Sequence, residues 1–209
     1  MAERGNDKPH LDIADLAERM SAAAGRGYPP VEQWHPAHEG VIDMRITADG
    51  TWLYQGSPIQ RAAMVRLFAT VLRRDDDGHH YLVTPAEKQR ITVDVAPLHI
   101  VEMFREGTGE AQKLAFRTLT DDMVVLDDAH RLRVEIDPES GEPTPLVPVR
   151  GNLRAIILRS VFYDLVDIAE EREVDGVTVQ GVTSEGVFHI IGRLDGTPHL
   201  DRLDGGRGA

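Results

Sequence analysis

The sequence predicts an α+β fold rich in antiparallel sheet, made of two related sheet-plus-helix units. Two observations carry that prediction. Short apolar runs with period-two alternation recur along the chain, separated by Gly-, Asp- and Pro-containing turns. A helix-spaced apolar stretch preceded and followed by such runs then occurs twice, about ninety residues apart.

The first ten residues are polar. Ile13, Leu16, Ala17 and Met20 follow at i, i+3, i+4 and i+7, the spacing of one amphipathic helix that ends near Gly25, Gly27 and Pro29-Pro30. That helix either packs on the protein's own core or binds a partner. Val41–Ile46 and Thr51–Gln55 read as strands joined through Asp49-Gly50, a favoured hairpin pair. Ser57 is a good N-cap, and Pro58 suits the first helical position. The predicted helix carries Met64, Val65, Leu67, Phe68, Val71 and Leu72 on one face, with Arg73 and Arg74 at its C-terminal end. Tyr81–Thr84 and Ile91–Val95 read as strands. His99–Met103, Gln112–Leu119 and Met123–Leu126 add more.

The arrangement then repeats. Arg131–Ile136 alternates as a strand, and 137–144 is turn-rich. Pro148-Val149-Arg150 opens a second predicted helix with Leu153, Ile156, Ile157, Val161, Phe162, Leu165 and Val166. Val177–Val182 and Val187–Ile191 follow as strands. The expected organisation is an N-terminal helical extension over 1–33, a first α+β unit over 34–97, a second over 98–195 and a flexible tail over 196–209.

Composition excludes several function classes. The 209 residues contain no Cys, which removes thiolate nucleophiles, thiolate metal sites and disulfides. Lys+Arg number 23 against 35 Asp+Glu, a net charge of −12 that disfavours an extended nucleic-acid or anionic-membrane surface. No apolar run reaches the roughly 18 residues of a membrane helix, and the N-terminus has no signal-like apolar core, so the expected location is cytoplasmic. Two Trp, four Tyr and five Phe make no stacking platform for single strands.

Charge is segregated along the chain. Residues 57–74 hold Arg61, Arg66, Arg73 and Arg74 with no acid, and residues 148–163 hold Arg150, Arg154 and Arg159 with no acid. Arg61, Arg150 and Arg154 fall in or near predicted first turns, where a cation is disfavoured by about 0.3–1 kcal/mol. First turns offer free N–H groups, and Arg adds a planar donor fork, so these residues form a candidate anion site. The bland reading pairs them with the abundant carboxylates. In Thr84-Pro85-Ala86-Glu87-Lys88, Thr84 could cap or bind, Glu87 could accept from a ribose or base, and Lys88 could meet a phosphate; a Thr-capped turn with a structural Glu is the alternative. Ser184 occupies the comparable place in the second unit.

Other clusters carry less. Pro36 interrupts the helix that His35 and His38 would need to ligate a metal. Asp75-Asp76-Asp77-Gly78 lacks the alternating ligands of an EF-hand loop. Gly107-Thr108-Gly109 lacks the Lys-Ser/Thr of a phosphate loop, and no Gly-x-Ser-x-Gly elbow occurs. No catalytic constellation, metal site or cofactor is expected.

The stretch Asp49-Gly50-Thr51-Trp52, Gly56-Ser57-Pro58-Ile59, Arg61, Leu67-Phe68, Val71-Leu72 and 81–88, with Pro148-Val149-Arg150 and 182–186, resembles a bacterial domain-of-unknown-function family, number twelve eighty-five. The likeness covers roughly residues 34–195. It implies a duplicated α+β core with a pleckstrin-homology-like C-terminal half, a ligand site between the halves suited to nucleotide-like molecules, and a role in signal transduction. Two expectations follow: a non-catalytic cytoplasmic regulator binding a small anionic, nucleotide-like ligand at the inter-unit cleft, or a protein–protein interaction module with no small-molecule ligand.

Overall fold

A computed structural model describes residues 28–137 and 139–194. The expected N-terminal helix and C-terminal tail lie outside the described residues. The described residues form two compact units, one containing 28–45 and 52–92, the other 46–51, 93–137 and 139–194.

The first unit is built from β1 (His38–Ile46), β2 (Trp52–Tyr54), β3 (Ser57–Pro58), α1 (Ala62–Thr70), β4 (Leu72–Arg74), β5 (His80–Val83) and β6 (Glu87–Val93). They form a six-stranded sheet in the order β3-β2-β1-β6-β5-β4. Its core contains Met44, Trp52, Phe68, Leu72, Leu82 and Ile91, with the Trp52 and Phe68 rings stacked at 6.3 Å. The second unit has β7 (Leu98–Glu106), β8 (Lys113–Thr118), β9 (Met123–Val125), β10 (Arg133–Ile136), β11 (Pro143–Arg150), β12 (Leu153–Ile157), α2 (Arg159–Asp167), β13 (Glu170–Val174), β14 (Val177–Ser184) and β15 (Val187–Arg193). Its sheets run β10-β11-β12-β7-β8-β9 and β13-β14-β15. The chain is therefore mostly sheet, with two α-helices among the described residues.

The duplication is visible in element order. Three antiparallel strands, a nine-residue helix and three more strands occur as β1-β2-β3-α1-β4-β5-β6 and again as β10-β11-β12-α2-β13-β14-β15. The strands β7, β8 and β9 lie between the repeats. In the first repeat the last strand, β6, is the ladder neighbour of the first, β1. In the second, β15 and β10 belong to different sheets, and the Leu132 N–H just before β10 donates to His189 Nδ1 on β15 at 3.4 Å.

Both predicted helix starts are corrected. Ser57-Pro58 does not open a helix: Gln55 and Gly56 both have positive φ (50° and 74°), the conformation of a tight two-residue hairpin turn, and fold β3 back on β2. Pro58 is tolerated there because β3 is an edge strand with no need of a further ladder donor. The helix begins at Ala62 and stops at Thr70, whose hydroxyl donates to the Leu67 carbonyl. Arg73 and Arg74 lie on β4 rather than at a helix end.

Likewise Pro148-Val149-Arg150 ends a strand. Arg150 pairs with Leu153 across a turn through Gly151 (φ 49°) and Asn152, and a register irregularity falls between Pro148 and Arg150. Leu153, Ala155 and Ile157 then alternate inward along β12, so the apolar residues read at helical spacing are partly strand. The second helix starts only at Arg159 and buries Val161 and Leu165, four residues apart. The Asp49-Gly50 turn stands as expected. Gly50 has φ 86°, and a Cβ there would come within 2.9 Å of the His99 ring, whose Nε2 lies 3.1 Å from the Ala48 carbonyl.

Candidate functional site

Of the three arginines expected at helix first turns, only Arg61 meets one. Arg150 ends β11 and Arg154 lies within β12, so neither meets a helix N-terminus. Arg150 Nε instead donates to Asp122 Oδ1 at 2.9 Å. Asp122, 3 % exposed, also accepts from the Thr118 and Thr120 hydroxyls at 3.1 and 2.8 Å, and its own N–H donates to Thr118 Oγ1. This is a buried, hydrogen-bonded carboxylate that requires a cation. Arg154 Nη1 pairs with Glu135 at 2.9 Å on an exposed face. The two arginines, close in sequence, thus serve different carboxylates.

Arg61 does lie at a helix start. It is the N-cap residue of α1, is exposed, and has no acid in the turn that follows. Its cap position carries no side-chain hydrogen bond, so the helix donors there are not satisfied by a Ser, Thr or Asp side chain.

Thr84, Glu87 and Lys88 share the β5–β6 hairpin of the first unit. Thr84 is buried, and its hydroxyl accepts from the Ala86 and Glu87 N–H groups at 3.3 and 3.1 Å, while its own N–H donates to the Glu87 carbonyl at 2.9 Å. That is a side-chain-closed turn, which holds the Thr-Pro corner. Glu87 Oε2 accepts from the Gln89 amide at 2.8 Å. Lys88 Nζ bridges Glu39 at 2.8 Å and Asp75 at 3.0 Å, and lies 4.3 Å from the centre of the Tyr81 ring. The Glu39 carboxylate leads in raising the Lys88 pKa above its ordinary value. Asp75 also takes Arg73 Nε at 2.6 Å. Burial alone would raise the Asp75 pKa, yet Arg73 and Lys88 hold it below the usual carboxylate range. Arg73 completes the network by donating to the Val31 and Trp34 carbonyls at 2.7 and 2.8 Å.

Ser184 lies fully buried at the end of β14, and its Oγ accepts from the Leu114 N–H at 2.9 Å. Beside it Gln112 Nε2 donates to the Thr183 carbonyl at 2.6 Å, and the Glu185 N–H donates to the Gln112 carbonyl at 2.9 Å. These bonds join the three-stranded sheet to β8. Of the seven candidate binding residues, then, Thr84, Glu87, Lys88, Arg150, Arg154 and Ser184 all have intramolecular partners.

Among the described residues no group of three or more His, Asp or Glu side chains is placed to hold a metal ion, and no helix is long and apolar enough to cross a membrane.

Residues 29–96 match the family described as "Domain of unknown function (DUF1285), N-terminal domain", and residues 97–191 match "Protein of unknown function (DUF1285), C-terminal domain". The chain belongs to the DUF1285 family. A crystal structure of a DUF1285 family protein from Silicibacter pomeroyi DSS-3 is 42 % identical over 88 % of this chain and 96 % of that one, with a TM-score of 0.79. Another, from Shewanella baltica OS155, is 27 % identical over 59 % of this chain and 90 % of that chain, with a TM-score of 0.46. No curated protein matches the chain.

Two surface features of this DUF1285 protein were not read from the sequence. The acidic stretch Glu170-Glu171-Arg172-Glu173 is a strand, β13, at the edge of the three-stranded sheet. The outer face of the β7-β8-β9 sheet exposes Phe104 and Met123. Alternation along β8, where Leu114, Phe116 and Thr118 are buried and Lys113, Ala115 and Arg117 are not, was the available signal for the second.

Proposed function

We propose that this DUF1285 protein is a non-catalytic interaction module that docks an extended, basic segment of another protein on the edge of β13. The carrying observation is that strand itself. Among the described residues β13 pairs only with β14, so its outward backbone groups have no strand partner. Glu170, Glu171 and Glu173 stand exposed along it; Arg172 lies over the Phe188 ring, donates to Thr183 Oγ1 and pairs with Glu170 at 3.3 Å, which leaves the charge of the edge to Glu171 and Glu173. An unpaired edge supplies main-chain hydrogen bonds to an incoming strand, and the carboxylates select a basic one. They also oppose edge-to-edge pairing of two copies through this strand. That the basic candidates Lys88, Arg150 and Arg154 already hold carboxylates supports protein docking over anion capture.

Lysine-rich, strand-forming peptides are expected to bind the full chain and slow hydrogen exchange at β13 amides facing away from β14. Glu171→Lys with Glu173→Lys is expected to abolish that effect. Binding that protects no β13 amide, or that survives the double charge reversal, overturns the reading. A cytoplasmic location, a signalling role and the likeness of the second unit to a pleckstrin-homology fold belong to the same proposal; an antiparallel-rich sheet followed by the single helix α2 supports that likeness.

Arg61 favours a second reading, capture of a small anionic, nucleotide-like ligand, because an exposed guanidinium stands at a helix start with no acid in the first turn. Under it, nucleotides or phosphorylated metabolites at millimolar concentration raise the thermal midpoint by mass action, and Arg61→Ala removes the shift without lowering the unliganded midpoint. No shift with any anion sinks this reading.

A further inference from the structure

We propose that the outer face of the β7-β8-β9 sheet binds a second copy of this chain, in a twofold arrangement centred on Phe104 and Ala115. The register places two rows side by side on that face. Glu102, Arg117 and Met123 pair across one, and Phe104, Ala115 and Val125 across the next. The opposite face carries the core residues Leu114, Phe116 and Val124. On the outer face Phe104 is 45 % exposed and Met123 58 %, although both are large and apolar. Exposed apolar side chains gathered on one sheet face mark a contact surface more than scattered ones do.

The occupant follows from the pattern of size and charge. A twofold interface must be complementary to itself, each patch offering both halves of every contact. This face does so twice. Phe104 is the largest side chain of its row and Ala115 beside it the smallest, so a twofold axis along the strands sets the Phe104 of one copy over the Ala115 of the other. Glu102 and Arg117 stand in the adjacent row, joined at 2.8 Å and both part-exposed, with Arg117 also 3.0 Å from Asp121, so a twofold axis along the strands sets each beside its opposite in the other copy. Lys113 and Glu106 form the next row, where Lys113 also lies 3.5 Å from Glu185. A chain of net charge −12 repels its own copy over most of its surface. A face of mixed charge with an apolar centre is where two copies approach at least electrostatic cost, and ordinary salt screens the remainder beyond about 8 Å. The β13 edge is a separate strand in a separate sheet, so this inference stands or falls independently of it.

Sedimentation or light scattering of the full chain across roughly 1–200 µM tests the assignment, since weak self-association falls in that range. The expected result is a monomer–dimer equilibrium. Phe104→Glu, Ala115→Phe and Met123→Lys should each weaken it about tenfold or more. Arg117→Glu should weaken it too, and adding Glu102→Arg should restore it, because the pair is then reversed in both copies. Thermal melts establish that each variant folds, and Met123, being largely exposed, is the position least able to disturb the core. A chain that stays monomeric throughout overturns the proposal. So does a dimer that all four substitutions leave unchanged, or open-ended oligomers, which a twofold contact cannot build.

Discussion

Arg150→Ala is expected to destabilise the protein by about 3 kcal/mol in urea unfolding, within the range for breaking a buried ion pair. The size follows from what is left behind. Asp122 is 3 % exposed and receives two threonine hydroxyls; without Arg150 its charge loses the cation that faces it. The Arg150 side chain is 20 % exposed, so water can reach part of the gap, which places the expectation at the lower end of that range. Arg154→Ala is the control. Its pair with Glu135 is exposed on both sides, and such pairs contribute roughly 0–1 kcal/mol. A similar cost for the two would show that the buried Asp122 cluster is not what makes Arg150 matter. An Arg150 that existed to hold a ligand would leave unliganded stability nearly unchanged.

Mild acid is expected to unfold the protein through buried histidines before the general titration of its carboxylates. His189 is 2 % exposed, and burial, aided by Arg131, pulls its pKa down to about 4. Asp127 and Asp128 act in the opposite direction, but each already engages a neighbour, His130 and Arg131 respectively. The geometry agrees: Nδ1 accepts from the Leu132 N–H, which requires that nitrogen unprotonated, and Nε2 is buried without a partner among the described residues. A histidine whose folded pKa lies below its unfolded value contributes full stability above the unfolded pKa, near 6.5, and loses it as pH falls toward the folded one. The window is therefore pH 6.5 to about 4, and the loss from His189 is on the order of 3 kcal/mol. His80 is also pulled down to about 4, chiefly by burial, and adds to the slope in the same direction. His189→Gln removes the titration while keeping a side-chain acceptor, so its stability should fall less steeply across that window. An unchanged slope would place the acid sensitivity elsewhere. The first structure to loosen should be the junction of β15 with the start of β10, where His189 bridges two sheets.

Much of this fold was legible because strand alternation is a local signal. Leu114, Phe116 and Thr118 announce β8, and Asp49-Gly50 announces the first hairpin. The repeat was legible too, but not its contents. Ser57-Pro58 carries good helix-start chemistry, yet the Gln55-Gly56 turn brings it onto β2, and ladder bonds outweigh a local cap preference. Leu153, Ile156 and Ile157 fit both a helical and an alternating period, and only the pairing of β12 with β11 and β7 decides for the strand. The candidate site inherited the second error, since Arg150 and Arg154 were aligned on a helix start that is not there, whereas Arg61 does stand at the N-cap of α1. Lys88, Arg150 and Ser184, read from the sequence as ligand-binding candidates, have carboxylates and backbone amides of this same chain as their neighbours in space.

By itself, then, the sequence determined a sheet-rich fold, the doubled motif, the family, and the thiol chemistry that a cysteine-free chain lacks, because each rests on composition or on short stretches of the chain. Only the tertiary structure decided which charges are neutralised and which faces stay open. Asp122 finds Arg150 from 28 residues away and Arg73 finds the Val31 carbonyl from 42, and no periodicity encodes such encounters. Burial then sets their strength, as a carboxylate removed from water must take the cation that folding brings to it.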